Sequence, residues 1–246
     1  LWEVEMGVHL ERHGRGEKIL FIHGAGGSSA SWYFQKRLEG RCEVILVDLP
    51  GHGRSKGEAF RTIDGYVGSV AEAIEENGLE GCYLAGHSMG GAIAMSLALA
   101  SPGLSRGLIL IATGARLKVF PPILEGILQN KEETVRSITG LAFSKKAPPA
   151  LIEAGFAEMM AAPKEVIHAD FSGCDHYDLM GRVGSIALPT IIITGADDLL
   201  TPQRYAEYLA REIGGSRLVV IPDAGHMVML EKPDETNRVI EAFLSR

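Results

Sequence analysis

Cysteine is scarce in this chain, which carries only Cys42, Cys82 and Cys174 among its 246 residues. Three thiols so widely spaced build no disulfide framework, and no C-x-x-C or His/Cys cluster offers a zinc site. Cys42 and Cys82 stand at the start of apolar runs and read as small core residues. Long apolar runs are missing too: none reaches the ~18 residues that a membrane span requires. Nor is there a long run of like charge. The net charge of −7 is spread along the sequence, which makes nucleic acid and anionic membrane surfaces poor partners. No charged-then-apolar leader opens the chain, so the cytoplasm is the expected compartment. With 46% hydrophobic residues, the length suits one large α/β domain with a sizeable core.

What is present is a series of short apolar runs, each followed by glycine or charge. Ile19–Ile22, Val44–Val47, Cys82–Ala85, Leu108–Ala112, Thr190–Ile193 and Leu218–Ile221 are apolar on both faces, as parallel strands covered by helices on each side must be. Trp2 to Leu10 alternates loosely and, with the turn through Gly16, reads as one or two exposed antiparallel strands. Ser28 or Ser31 can cap a short helix through Leu38. Thr62 to Asn77, Ala92 to Ala100, Pro202 to Glu212 and Pro233 to Leu244 read as helices. From Lys118 to Ser185 the strand pattern stops, and amphipathic helical segments broken by Pro121-Pro122, Pro148-Pro149 and Pro163 replace it. The expected organisation is a mostly parallel central β-sheet flanked by helices, residues 1–117 and 186–246, with an inserted helical cap at 118–185.

In such a sheet, functional groups collect where strands end at their carboxyl edge. Gly86-His87-Ser88-Met89-Gly90 follows one strand and opens a helix, a G-x-S-x-G elbow. Its glycines allow a tight turn, and Ser88 sits at a helix N-terminus, where unpaired N–H groups favour developing negative charge. A serine hydroxyl needs a base to take its proton, and His226, after the last strand, is placed for that. The imidazole needs a carboxylate on its other nitrogen, and Asp197 or Asp198 supplies it. His52 and His87 read as hydrogen-bonded structural residues, and His9, His13, His168 and His176 as surface or cap residues. No cofactor and no metal are expected.

The order Ser, Asp, His, together with His23-Gly24-Ala25-Gly26-Gly27, Asp48 through Ser55 as D-x-P-G-H-G-x-S, Gly195 to Pro202 as G-x-x-D-x-x-x-P and Gly225-His226, resembles the α/β-hydrolase fold superfamily, in its esterase and lipase-like branch with a helical cap. The likeness covers the chain outside the cap. It implies Ser88 as nucleophile, His226 as base and Asp198 as the acid, with Asp197 its less favoured neighbour; Ala112-Thr113-Gly114, where some relatives carry the acid, has no carboxylate. It also implies an oxyanion hole from the backbone N–H groups of Ala25 and Met89, as two donors near the nucleophile require.

The resulting expectation is a serine ester hydrolase of the carboxylesterase kind, acting through an acyl-enzyme on small to medium, largely apolar small-molecule esters. Trp32, Phe143, Phe156, Met159 and Met160, with Phe120 and Met180, are the candidates for an acyl pocket, although apolar residues at helical spacing are most often core. Thioesterases, lactonases, monoacylglycerol lipases, C–C bond hydrolases and perhydrolases share the machinery, and some receptors of this fold retain the triad. A non-catalytic scaffold is disfavoured by the intact set of elements. Relatives that use aspartate at the elbow, the haloalkane dehalogenases and epoxide hydrolases, are disfavoured by Ser88.

Overall fold

The computed structural model describes residues 8–245. Trp2 to Gly7, the first part of the expected opening strand, lies outside them. A seven-stranded sheet runs in the order β1-β3-β2-β4-β5-β6-β7. Its strands are β1 (His9–His13), β2 (Lys18–Ile22), β3 (Glu43–Asp48), β4 (Cys82–His87), β5 (Ser105–Ile111), β6 (Thr190–Gly195) and β7 (Arg217–Ile221). Only β1 is antiparallel, paired with β3; the other neighbours are parallel.

Alternation along each strand sorts side chains into two cores, which is why the runs are apolar throughout. Leu20, Ile22, Ile45, Val47, Leu84 and Leu110 face one side and pack against α1 (Ile63–Glu76), α2 (Met89–Ala100) and α7 (Gln203–Glu212). Ile19, Phe21, Val44, Leu46, Ile109 and Ile111 face the other, against Trp32, α8 (Val228–Glu231) and α9 (Pro233–Leu244). Thr62 caps α1 by accepting the Gly65 N–H. α2 is buried almost all round, as its run of Ala, Ile, Met and Leu requires. The short helix expected through Leu38 is instead two 3₁₀ turns, Ser29–Trp32 and Gln35–Gly40. Ser28 caps only the first, and no side chain caps the second.

Between β5 and β6 the chain forms α3 (Pro121–Gln129), α4 (Lys131–Ala142), α5 (Pro149–Ala161) and α6 (Lys164–His176). Prolines occupy the first turns of α3 and α5, where a missing N–H leaves no bond unmade. Ile127, Val135 and Ile167 form a small core of their own among these helices. The sheet order changes direction between β2 and β4, and a crevice opens outside the carboxyl ends of strands at such a point. No helix among the described residues is long and apolar enough to cross a membrane.

Candidate active site

Ser88 joins β4 to α2 with φ +51°, a left-handed conformation uncommon for a residue with a side chain. The turn is pinned: the Ser88 N–H donates to the Ile111 carbonyl at 2.9 Å, and its own carbonyl accepts the Thr113 hydroxyl at 2.7 Å. A Cβ at Gly86 would run into the Gly90 carbonyl, and one at Gly90 into the Ile22 carbonyl. Strand and helix approach this closely only because both positions are glycine. Ala112 and Asp223, just beyond β5 and β7, also have positive φ. Backbone strain is therefore concentrated along one edge of the sheet.

His226 follows β7, and its Nδ1 lies 3.0 Å from Asp198 Oδ2. Asp198 is held from several sides. Its Oδ1 accepts the N–H groups of Leu200 and Thr201 at 2.9 and 2.8 Å, and Oδ2 accepts the Thr201 hydroxyl at 2.8 Å. Burial works against its charge, yet His226 and these donors outweigh it and hold the Asp198 carboxyl below its usual pKa. Asp197 turns elsewhere and accepts the Ser144 hydroxyl at 2.7 Å. Glu231 bridges the Gly225 N–H before His226 at 2.8 Å and the Ser144 N–H at 3.0 Å, which ties the His226 loop to the segment between α4 and α5.

Gly24 to Gly27 follow β2, the strand paired with β4, so this loop lies beside the Ser88 elbow. Its Gly24 carbonyl accepts the Gly27 N–H at 3.2 Å and the His23 Nδ1–H at 2.8 Å. Because the Leu49 N–H donates to His23 Nε2 at 3.1 Å, the ring proton must sit on Nδ1. Burial, helped by His52, pushes the His23 pKa down to about 4 and keeps the ring neutral. Met89 is the first residue of α2, where an N–H has no intrahelical acceptor.

Ala25, Ser88 and His226 line one cavity of about 380 Å³. Of the expected pocket residues, Phe143, Met159 and Phe120 line it. Trp32 does not: it is fully buried, 5.0 Å from the Phe21 ring and edge-on to His87. Phe156 and Met160 are partly buried and pack against the core of the inserted helices, with the Arg136 guanidinium over the Phe156 ring. Met180 lines a separate groove beside Tyr208. Leu117, Val119, Ile123, Ile138 and Phe171 add to a largely apolar wall, in which Lys118, Thr139 and Glu158 are polar. Among the described residues, no group of three or more His, Cys, Asp or Glu is arranged to hold a metal ion.

Both structural histidines have partners: His87 Nε2 donates to the His226 carbonyl at 3.1 Å, and His52 lies between Pro50 and Asp170. Two carboxylates escaped the sequence reading. Glu158 accepts the Ser28 N–H and the Ser28 and Ser31 hydroxyls, and Asp170 accepts the Gly26 N–H. Asp170 did leave a signal, a charge on the helix face that otherwise carries Ile167 and Cys174.

A parallel α/β sheet with a strained serine elbow and a carboxylate-paired histidine at its carboxyl edge defines a hydrolase class. The chain belongs to the α/β hydrolase family, whose pattern it matches over residues 19–239. It is similar to a thermophilic esterase of known structure, 37% identical with a TM-score of 0.86 over 97% of this chain and 94% of that one. It is also similar to Est816, described as an N-acyl homoserine lactone degrading enzyme, 28% identical with a TM-score of 0.88 over 96% of each chain. A third relative is the dihydrolipoyllysine-residue acetyltransferase component of the acetoin cleaving system of Cupriavidus necator, 30% identical over 96% of this chain. This chain spans 66% of that relative's length.

Proposed function

We propose that the protein is a serine hydrolase that cleaves carboxylic esters of small to medium, largely apolar substrates through an acyl-enzyme. The observation that carries this reading is the shared apolar cavity lined by Ser88, His226 and Ala25, with His226 bonded to the buried Asp198. Ser88 Oγ attacks the ester carbonyl while His226 Nε2 takes its proton, and Asp198 stabilises the resulting imidazolium. The carbonyl oxygen becomes an anion received by the N–H groups of Ala25 and Met89. Collapse breaks the ester C–O bond, and His226 returns the proton to the departing alcohol. Water, deprotonated by His226, then attacks the acyl-enzyme and releases the carboxylic acid and Ser88.

The residues expected to act from sequence keep those roles here: Ser88 as nucleophile, His226 as base, Asp198 as orienting acid. Residues 118–185 serve as the cap, and the apolar lining of the cavity they cover favours acyl or aryl groups over sugars. A fluorophosphonate probe tests the chemistry by labelling wild-type protein at Ser88 and not Ser88→Ala. A panel of p-nitrophenyl esters of increasing acyl length, with thioester and lactone counterparts, tests the substrate class; esters should turn over fastest. Labelling elsewhere, or Ser88→Ala retaining ester turnover, defeats the assignment.

A further inference from the structure

Asp170 is a fully buried carboxylate that the chemistry above does not use. It sits on α6, among the inserted helices, yet its partners belong to the sheet side of the molecule. Oδ2 accepts the Gly26 N–H at 2.8 Å and lies 2.8 Å from His52 Nε2, while Oδ1 accepts the Tyr66 hydroxyl. The other His52 nitrogen faces the Pro50 carbonyl at 3.0 Å. Burial by itself lowers the His52 pKa, and Asp170 outweighs it and raises it. A buried carboxylate so completely partnered is tolerable, whereas one stripped of its partners is not.

The Gly26 N–H is not an arbitrary donor. The Gly27 N–H to Gly24 carbonyl bond closes a four-residue turn with Ala25 and Gly26 at its corners. The φ of +65° at Gly26 marks it as type II. Type I and type II turns differ in which way the central peptide faces, and here that peptide is Ala25–Gly26. Asp170 receives its N–H and would repel its carbonyl if the peptide turned over. The preceding peptide is held at the Gly24 carbonyl by Gly27 and His23, so its Ala25 N–H points away from the turn, because C=O and N–H of a trans peptide are opposed. Met159 and Ile167 close over Gly26, where a Cβ would meet their carbons at 3.2 and 3.5 Å.

We propose that Asp170 is a positioning residue: by holding the Gly26 N–H it keeps the Ala25–Gly26 peptide turned toward α6 and so steadies the loop whose Ala25 N–H, oriented through the Gly24 carbonyl, faces the oxyanion. This rests on the serine-hydrolase reading, and it gives the inserted helices a part in the chemistry as well as in the pocket wall.

Three substrates or ligands test it in Asp170→Ala and Asp170→Asn: p-nitrophenyl acetate, an alkylboronic acid that forms a tetrahedral anion on Ser88, and a neutral alkylamide of equal chain length. Asp170→Ala should lose about 10²- to 10³-fold in kcat, the scale of losing one oxyanion donor, with KM little changed. Asn keeps an acceptor for the Gly26 N–H and should recover about tenfold of that loss. Boronic acid binding should weaken in step with kcat while amide binding stays at the wild-type value, a split that a purely structural role does not produce. A cooperatively folded Asp170→Ala with wild-type kcat, or equal weakening of both ligands, overturns the inference. If Asp170→Ala does not fold, Asp170→Asn carries the same comparison, and unchanged boronic acid binding in it is the overturning result. Fluorophosphonate labelling of wild-type Ser88 keeps the failures apart: without it the hydrolase reading falls, and with it only the role of Asp170 does.

Discussion

Asp198 Oδ2 faces His226 Nδ1 at 3.0 Å, whereas the adjacent Asp197 bonds Ser144. Neighbouring carboxylates after one strand point to different partners, so their substitutions should separate. Asp198→Asn is expected to lower kcat by about 10⁴, because an amide can neither hold the imidazole tautomer nor stabilise its charge. Asp197→Asn should stay within about tenfold, since Asn can still accept the Ser144 hydroxyl. Steady-state kinetics on one short ester decide it, and the reverse ranking would move the acid to Asp197.

The cavity wall divides the apolar residues of the inserted helices. Phe143→Ala and Met159→Ala should shift the acyl-length optimum of kcat/KM, with changes of about ten- to two-hundredfold for individual esters. Phe156→Ala and Met160→Ala remove partly buried side chains packed against the core of those helices and should lower thermal stability while keeping the parent profile. Profiles that moved with Phe156 and not with Phe143 would show that the cavity is not the acyl pocket.

How far the sequence could be read follows from where partners lie along the chain. The six parallel strands and the loops after them were legible because continuous apolar runs end in glycine or charge, a local pattern with one physical meaning. The choice between Asp197 and Asp198 was not local, since it depends on Ser144 and His226 approaching from distant segments. Asp170 was further out of reach: Gly26 lies 144 positions away and His52 118. Trp32 is a pocket candidate from sequence, although such apolar residues are most often core, and contact with Phe21 places it in the core. Ser28 was read as one possible cap, but nothing local showed that the turn would stop at Trp32 and restart at Gln35.

Gly90 and Gly68 both lie in helices, and alanine distinguishes them. Gly90→Ala drives a Cβ into the Ile22 carbonyl, a backbone group that cannot rotate away, and should destabilise by about 1–3 kcal/mol while disturbing the elbow. Gly68, inside α1, has nothing within 4 Å of its Cβ position. Gly68→Ala should therefore stabilise by about 0.4–1 kcal/mol, through a less flexible unfolded chain. Urea unfolding of the two variants tests the contrast, and a stabilised Gly90→Ala would contradict the packing described for the elbow.

A pH dependence of stability follows from His87. Burial, then the nearby His226, pushes its pKa down to about 3, so the folded protein keeps the ring neutral in mild acid. The unfolded chain has the ordinary value near ~6.5. Between these two values the unfolded state binds a proton that the folded state does not, so stability falls as pH falls through that window, by up to about 1.4 kcal/mol per pH unit. Above the unfolded pKa both states are neutral and the contribution is flat. His87→Gln keeps a donor for the His226 carbonyl but has nothing to titrate. The stability of the wild type minus that of His87→Gln should thus be constant from pH 7 to 8 and decline as the pH is lowered from 6 to 5. Taking the difference cancels the buried His23 and the carboxylates common to both proteins. A difference that stayed level from pH 8 to 5 would mean that His87 takes up its proton in the folded protein as readily as in the unfolded chain.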